Sequence, residues 1–299
     1  GYSLHAGLGL SLGGVLNIAL DPFFVLPFGL NMNIKGAAIA TLISNVVTTL
    51  YFAILLIVIR KKSVVSFSPK KACLAIKEKI ARNVLFTGLP SALQTMLSAV
   101  SNLVLNSLMI GYGETAEAAI GVTKKIDAVP FGMVTGLAQG AAPLIAYNNG
   151  AKKYDKMKTT LKLSLCYCVG LAITVLIVVE SAAGALIEVF IKDASTVTYG
   201  EKFLRLHCAS LPFMAVTFML VSYFQAVGAK GKAFLLSIIR KGIVDIPLMY
   251  LLNVLIPVYG IVACQPITDV ISATVGVILY VLWKKKFQKT EEEQEIIVQ

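Results

Sequence analysis

The chain has 299 residues, 57% of them hydrophobic and only 14% charged, with a mean hydropathy of +0.79. Soluble domains carry roughly 45–50% apolar and about 25% charged residues. This composition therefore excludes a soluble domain and indicates an all-α, polytopic membrane protein. The alternating ten-residue strands of a β-barrel are absent from the sequence, and the net charge of +11 is distributed between apolar runs in a way that excludes nucleic-acid binding.

In chain order, the first apolar run (5–28) contains Asn17, Asp21 and Pro22. A carboxylate inside a bilayer-spanning helix is costly and usually faces a water-filled or ion-conducting interior. The second run, 33–59, stops at Arg60–Lys62. A long basic connection follows, with an amphipathic stretch near Lys70–Arg82 expected to lie on the membrane surface. Further spans are expected over 84–110, 116–147, 160–181, 198–226, 233–256 and 260–283, which makes eight. The glutamate-rich end, 290–299, is expected to fray.

Basic residues gather in every second connection: between Arg60 and Arg82, between Lys152 and Lys162, at Lys230 and Lys232, and between Lys284 and Lys289. This positive-inside pattern assigns both ends of the chain to the cytoplasm. The five cysteines show no zinc spacing, and His5 and His207 are solitary. Nothing suggests a hydrolase or an ATP-binding loop, so the expectation is no enzyme and no cofactor, with any pumping driven by an ion gradient.

An internal repeat organises the sequence. Adding 224 to a position in the first two spans gives its counterpart in the last two, without a gap. Asp21 maps to Asp245, Gly36 to Gly260, Thr41 to Gln265, Asn45 to Asp269, and Arg60–Lys62 to Lys284–Lys286. Copies of the same orientation are related by an axis along the membrane normal. The repeating unit is then a six-helix bundle, of which the first copy supplies two helices. The expected organisation is 1–62 as the last two helices of an N-terminal lobe, 63–82 as a cytoplasmic linker, 83–289 as a six-helix C-terminal lobe and 290–299 as an acidic tail. About four spans are expected to be missing ahead of Gly1.

The candidate cation site is Asn17, Asp21, Thr41 and Asn45. Residues four apart share a helix face, and Pro22 cannot donate to the carbonyl of Ile18. Carboxylate, amide and carbonyl oxygens suit a hard cation such as Na⁺, with Asn17, Asp21 and Thr41 as its ligands; a carboxylate alone suits H⁺. The alternative is a structural carboxylate paired with a basic group. In the repeat, Lys241 replaces Asn17 one turn before Asp245, so that carboxylate is expected to be paired. Asp269 has no evident partner. A polar stripe, Gln94, Ser98, Asn102 and Asn106, runs along the third span at i+4 spacing. With Gln139, Gln265 and Asp269 it is the candidate substrate-cavity lining, interhelical hydrogen bonding being the alternative. Gly132, Gly136 and Gly140 form a small-residue ladder expected to serve helix packing.

The segments LNIALDPFF (16–24), IKGAAIATLIS (34–44), GLPSALQ (88–94), AIGVTKKIDAVPFGMVTGLAQGAAPLIAYNNGAKK (119–153) and FQAVGAKGKA (224–233) resemble the MATE (multidrug and toxic compound extrusion) transporters. The resemblance spans nearly the whole chain. It implies a twelve-helix, two-lobe antiporter, a monomer in the cell membrane, that expels cationic or amphiphilic small molecules in exchange for Na⁺ or H⁺. It also implies a first-lobe cation site in which Asn17, Asp21 and Thr41 match three family positions. Ser98 stands where some relatives carry an acidic residue, as in the branch that couples through the first lobe. Lipid-linked oligosaccharide flippases share the broader superfamily fold and are the alternative.

Overall fold

The computed structural model describes residues 3–27, 29–59 and 80–298, with side chains followed from 4 to 285 within those ranges. Most of the Lys70–Arg82 stretch, and Cys73 with it, lies outside the described residues. Packing divides the chain into two units, 1–80 and 81–299.

In the first unit α1 (Ser3–Val25) packs against α2 (Asn33–Ile59). At 1.5 Å per residue they extend about 34 and 40 Å, beyond the ~30 Å of hydrocarbon a membrane presents. The turn is closed by the N–H groups of Leu30 and Met32, which donate to the carbonyls of Phe23 and Phe24. Asn31 and Asn33 take left-handed backbone there, φ 49° and 50°, a conformation asparagine adopts more readily than most residues. The helices touch through glycines. A Cβ on Gly13 would meet the Thr48 hydroxyl, and one on Gly36 would meet the Phe24 carbonyl.

The second unit runs α3 (Ile80–Ile110), α4 (Glu114–Gly150), α5 (Tyr154–Glu188), α6 (Ala194–Cys208), α7 (Leu211–Ala226) and α8 (Lys230–Ile238). A π turn (Ile239–Val244), α9 (Asp245–Leu255) and α10 (Tyr259–Val298) complete it. Gly113, at φ 96°, separates α3 from α4. Asp193 caps α6 by accepting the Thr196 N–H at 2.9 Å. Pro212 sits in the first turn of α7, where a missing N–H costs nothing, and α6 and α7 meet at a 42° bend. Ile145, Cys168, Ile187, Cys208, Met219 and Phe224 form the main core. A second cluster gathers Met109, Ile120, Phe203 and Met249. Tyr259 packs on it and stacks on Tyr199, with ring centroids 6.1 Å apart.

Six helices among the described residues are long and apolar enough to cross a membrane, or seven if the bent α6–α7 pair is one span. Their outer faces keep large apolar side chains exposed, Ile57 and Ile177 among them, as a multi-pass membrane protein requires. The span expected over 233–256 is not a single apolar helix. It is interrupted by the π turn and carries Arg240, Lys241 and Asp245. The acidic end expected to fray continues α10 as helix to Val298, since its Glu, Gln and Lys residues are good helix formers extending an existing helix. The ladder Gly132, Gly136 and Gly140 has no neighbouring atom within 4 Å of where a Cβ would stand. It makes no close helix contact among the described residues.

Candidate functional site

On the α1–α2 hairpin the amide of Asn17 donates to the Thr41 hydroxyl at 3.3 Å, and that hydroxyl donates to the Ala37 carbonyl at 2.9 Å. Asp21 lies one turn beyond Asn17 on α1. Its Oδ1 is shut off from solvent and accepts no hydrogen bond among the described residues. Pro22 deprives the Ile18 carbonyl of its i+4 helical donor. Asn45 is exposed; its carbonyl receives the Thr49 hydroxyl, and its side chain does not join the Asn17–Thr41 pair.

The matching positions of the second unit form a buried network. Lys241 Nζ donates to Asp245 Oδ2 at 2.9 Å and to Gln265 Oε1 at 2.6 Å. The Lys241–Gln265 bond links the same two repeat positions as Asn17–Thr41. Asp245 also accepts from the Ser101 hydroxyl. Asp269, for which the sequence offers no evident partner, accepts from Arg240 Nε at 2.6 Å and from the Gln265 amide at 2.7 Å. The π turn accounts for this. Adjacent residues of an α-helix point about 100° apart, whereas the wider i→i+5 turn brings Arg240 and Lys241 toward one face of α10. Arg240 is 2% exposed, and its guanidinium lies over the Phe218 ring at 4.8 Å.

A cavity of about 470 Å³ opens within the second unit. Ser98, Asn102 and Asn106 of the polar stripe line one wall; Lys124 and Asp127 of α4, with His207 of α6, line another. Arg240, Lys241 and Gln265 reach its floor. His207 Nε2 lies 3.2 Å from Asp127 Oδ2. Lys124 forms no hydrogen bond or ion pair with a described residue; on the same helix, Asp127 Oδ2 is in contact with His207.

Three expected lining residues stand elsewhere. Gln94 is buried away from the cavity with Nε2 unpartnered. Gln139 is exposed on α4. Asp269 is fully buried behind Arg240 and does not reach the opening. Sequence reasoning overlooked Arg240, Lys124 and Asp127 and dismissed His207 as solitary. The available signal was the presence of ionisable residues inside apolar segments, which is itself a pointer to an interior site.

The MatE family profile matches residues 90–251. The chain is 30% identical over 293 residues to the multidrug export protein MepA of Staphylococcus saprophyticus, covering 98% of this chain and 63% of that protein. It is 29% identical over 297 residues to MepA of Staphylococcus aureus, covering 99% and 64%. The chain thus spans less than two thirds of the length of these relatives. Among solved structures it is similar to an outward-facing multidrug resistance MATE family transporter of the MOP superfamily, with a TM-score of 0.82 at 24% identity, covering 94% of this chain and 62% of that one. It is also similar to the Vibrio cholerae MATE transporter VcmN in its bent form, with a TM-score of 0.77 at 21% identity, covering 93% and 61%. These two likenesses are of fold. With the profile covering 162 of its 299 residues, the chain belongs to the MatE family.

Proposed function

We propose that this protein works as a secondary active multidrug efflux antiporter, exporting cationic or amphiphilic compounds across the cell membrane in exchange for Na⁺ or H⁺, with Asp21 as the ion-coupling carboxylate. The observation that carries this reading is the contrast in pairing. Asp245 is held by Lys241 and Ser101, whereas Asp21 has a buried oxygen with no partner among the described residues. A carboxylate kept in a membrane segment without a counter-ion is costly, and a transported cation offsets that cost each time it binds. Asn17 and Thr41, already in contact, offer neutral oxygens beside it. The Ile18 carbonyl adds a further ligand of the kind hard cations prefer. Asn45, one turn beyond Thr41, completes the polar face.

The cavity of the second unit, with Ser98, Asn102 and Gln265 on its walls, takes the exported compound. In this reading 230–255 is an eighth span, the arrangement follows a twelve-helix, two-lobe plan, and a single copy transports, with both ends of the chain in the cytoplasm. The name multidrug export protein carried by the Staphylococcus saprophyticus relative favours drug efflux over oligosaccharide flipping.

The test is ion-driven ethidium efflux from membrane vesicles containing the full-length protein. Asp21→Asn should abolish efflux at unchanged membrane abundance. Wild-type efflux from that variant would overturn the assignment.

A further inference from the structure

The second-unit cavity carries more basic than acidic side chains. Its lining includes three cationic heads, Lys124, Arg240 and Lys241, and one carboxylate, Asp127. Arg240 and Lys241 are neutralised from behind by Asp269 and Asp245. Asp127 is turned to His207. The Lys124 ammonium is left facing the cavity with three donors and no described partner. Lys241 spends two of its three donors on Asp245 and Gln265. The charged part of the wall is therefore rich in donors, and its neutral part adds the side chains of Ser98, Asn102 and Asn106. Met214 and Phe131 supply an apolar surface beside it, Phe131 meeting Phe218 edge to face at 5.4 Å. A volume of about 470 Å³ falls within the range of pockets that enclose drug-sized molecules.

From this geometry we infer that the cavity binds the acidic group of an amphiphilic organic anion or zwitterion, with Lys124 as its counter-ion and Phe131 and Met214 against its apolar body. This rests on the transport reading above for its biological use, but not for its measurement. A carboxylate entering the cavity supplies Lys124 with the partner that Asp127 does not. It accepts charge-assisted hydrogen bonds, which are shorter and stronger than neutral ones. A compound carrying only a positive charge leaves Lys124 without an acceptor and meets only neutral oxygens, those of Ser98, Asn102 and Asn106, beside the three cationic heads. The cavity accordingly selects among amphiphiles by their acidic group.

Equilibrium binding to the full-length protein in lipid nanodiscs, corrected with empty nanodiscs, tests this without any gradient. The probes are dansylglycine, its uncharged methyl ester and the cationic dansylcadaverine. Wild-type protein should bind dansylglycine about tenfold or more tightly than the ester, the scale of one charged hydrogen bond, and dansylcadaverine more weakly still. Lys124→Gln should remove the preference for the acid over the ester, and Lys124→Arg should retain it. Equal binding of acid and ester by the wild type, tighter binding of the cation, or a preference that survives Lys124→Gln would each overturn the inference. Failure of ion-driven efflux to depend on Asp21 would sink the coupling reading and leave this binding result standing. Loss of acid selectivity alongside intact Asp21-dependent efflux would do the reverse.

Discussion

The α1–α2 hairpin and the α9–α10 hairpin are two copies of one design with opposite electrostatics. Each joins its helices through a polar bridge at the same repeat position, Asn17–Thr41 in one and Lys241–Gln265 in the other. Each has a glycine, Gly36 or Gly260, where a Cβ would strike a carbonyl of the preceding helix. The second copy adds Arg240 where the first has Leu16, and Asp269 where the first has Asn45. Its four charges cancel as two ion pairs, Arg240–Asp269 and Lys241–Asp245. The first copy retains one carboxylate and no basic partner among the described residues. A shared backbone thus supports a closed, neutral cluster in one place and an acceptor awaiting a cation in the other.

The largest effect should come from swapping this contrast. Asp21→Asn should eliminate gradient-driven efflux with little change in thermal stability, because no partner of Asp21 among the described residues is stranded. Asp245→Asn should act the other way. It leaves Lys241 as a buried charge without its counter-ion, a defect that typically costs about 3–5 kcal/mol, visible as a large drop in Tm of the detergent-solubilised protein. An undiminished Tm would show that the second network is not an ion-pair cluster. Making the second copy resemble the first with the double change Arg240→Leu and Asp269→Asn removes both members of a buried pair. It should cost less than either single change and retain most of the Tm, since replacing a whole buried pair is often close to neutral. Gly36→Ala and Gly260→Ala should each destabilise by about 1–3 kcal/mol, the usual penalty for overpacking. Unequal Tm losses would show that the two hairpins differ in backbone as well as charge.

The smallest effect lies outside both hairpins, at the α6 cap. Hydrogen bonds from the Ser195 hydroxyl and from the Thr196 hydroxyl and N–H lower the Asp193 pKa to about 2, from an ordinary value of 3.8. A carboxylate held below its ordinary value stabilises the fold above that value and loses the contribution as pH falls through the lowered one. Asp193→Ala should therefore raise deuterium uptake in the first turn of α6 near neutral pH. The difference from wild type should vanish as pH drops from about 4 toward 2.

Much of this was legible in the residues. The Lys241–Asp245 pair follows from i,i+4 spacing. Ser98, Asn102 and Asn106 fall on one helix face by the same arithmetic, and all three line the cavity. The partner of Asp269 was not legible. Arg240 adjoins Lys241, and helical periodicity sends neighbouring side chains in different directions; here both reach α10 from within the π turn. The Asp127–His207 contact joins residues 80 apart on two helices, so no local pattern carries it. Gln94 shares the stripe's spacing but lies away from the cavity, because spacing fixes the face of a helix and not where along it an opening ends.

The π turn has a consequence for mutational tolerance. Between Ile239 and Val244 the chain holds one more residue per hydrogen-bonded ring than an α-helix needs. Removing a single residue there, Gly242 for example, would draw the segment toward an α-helical repeat, which Pro247 just beyond it opposes. It would also rotate Arg240 and Lys241 out of step with Asp245 and the residues after it. Insertions and deletions in this short segment should therefore be far less tolerated than substitutions, although Gly242 is its one residue of the kind that marks turns.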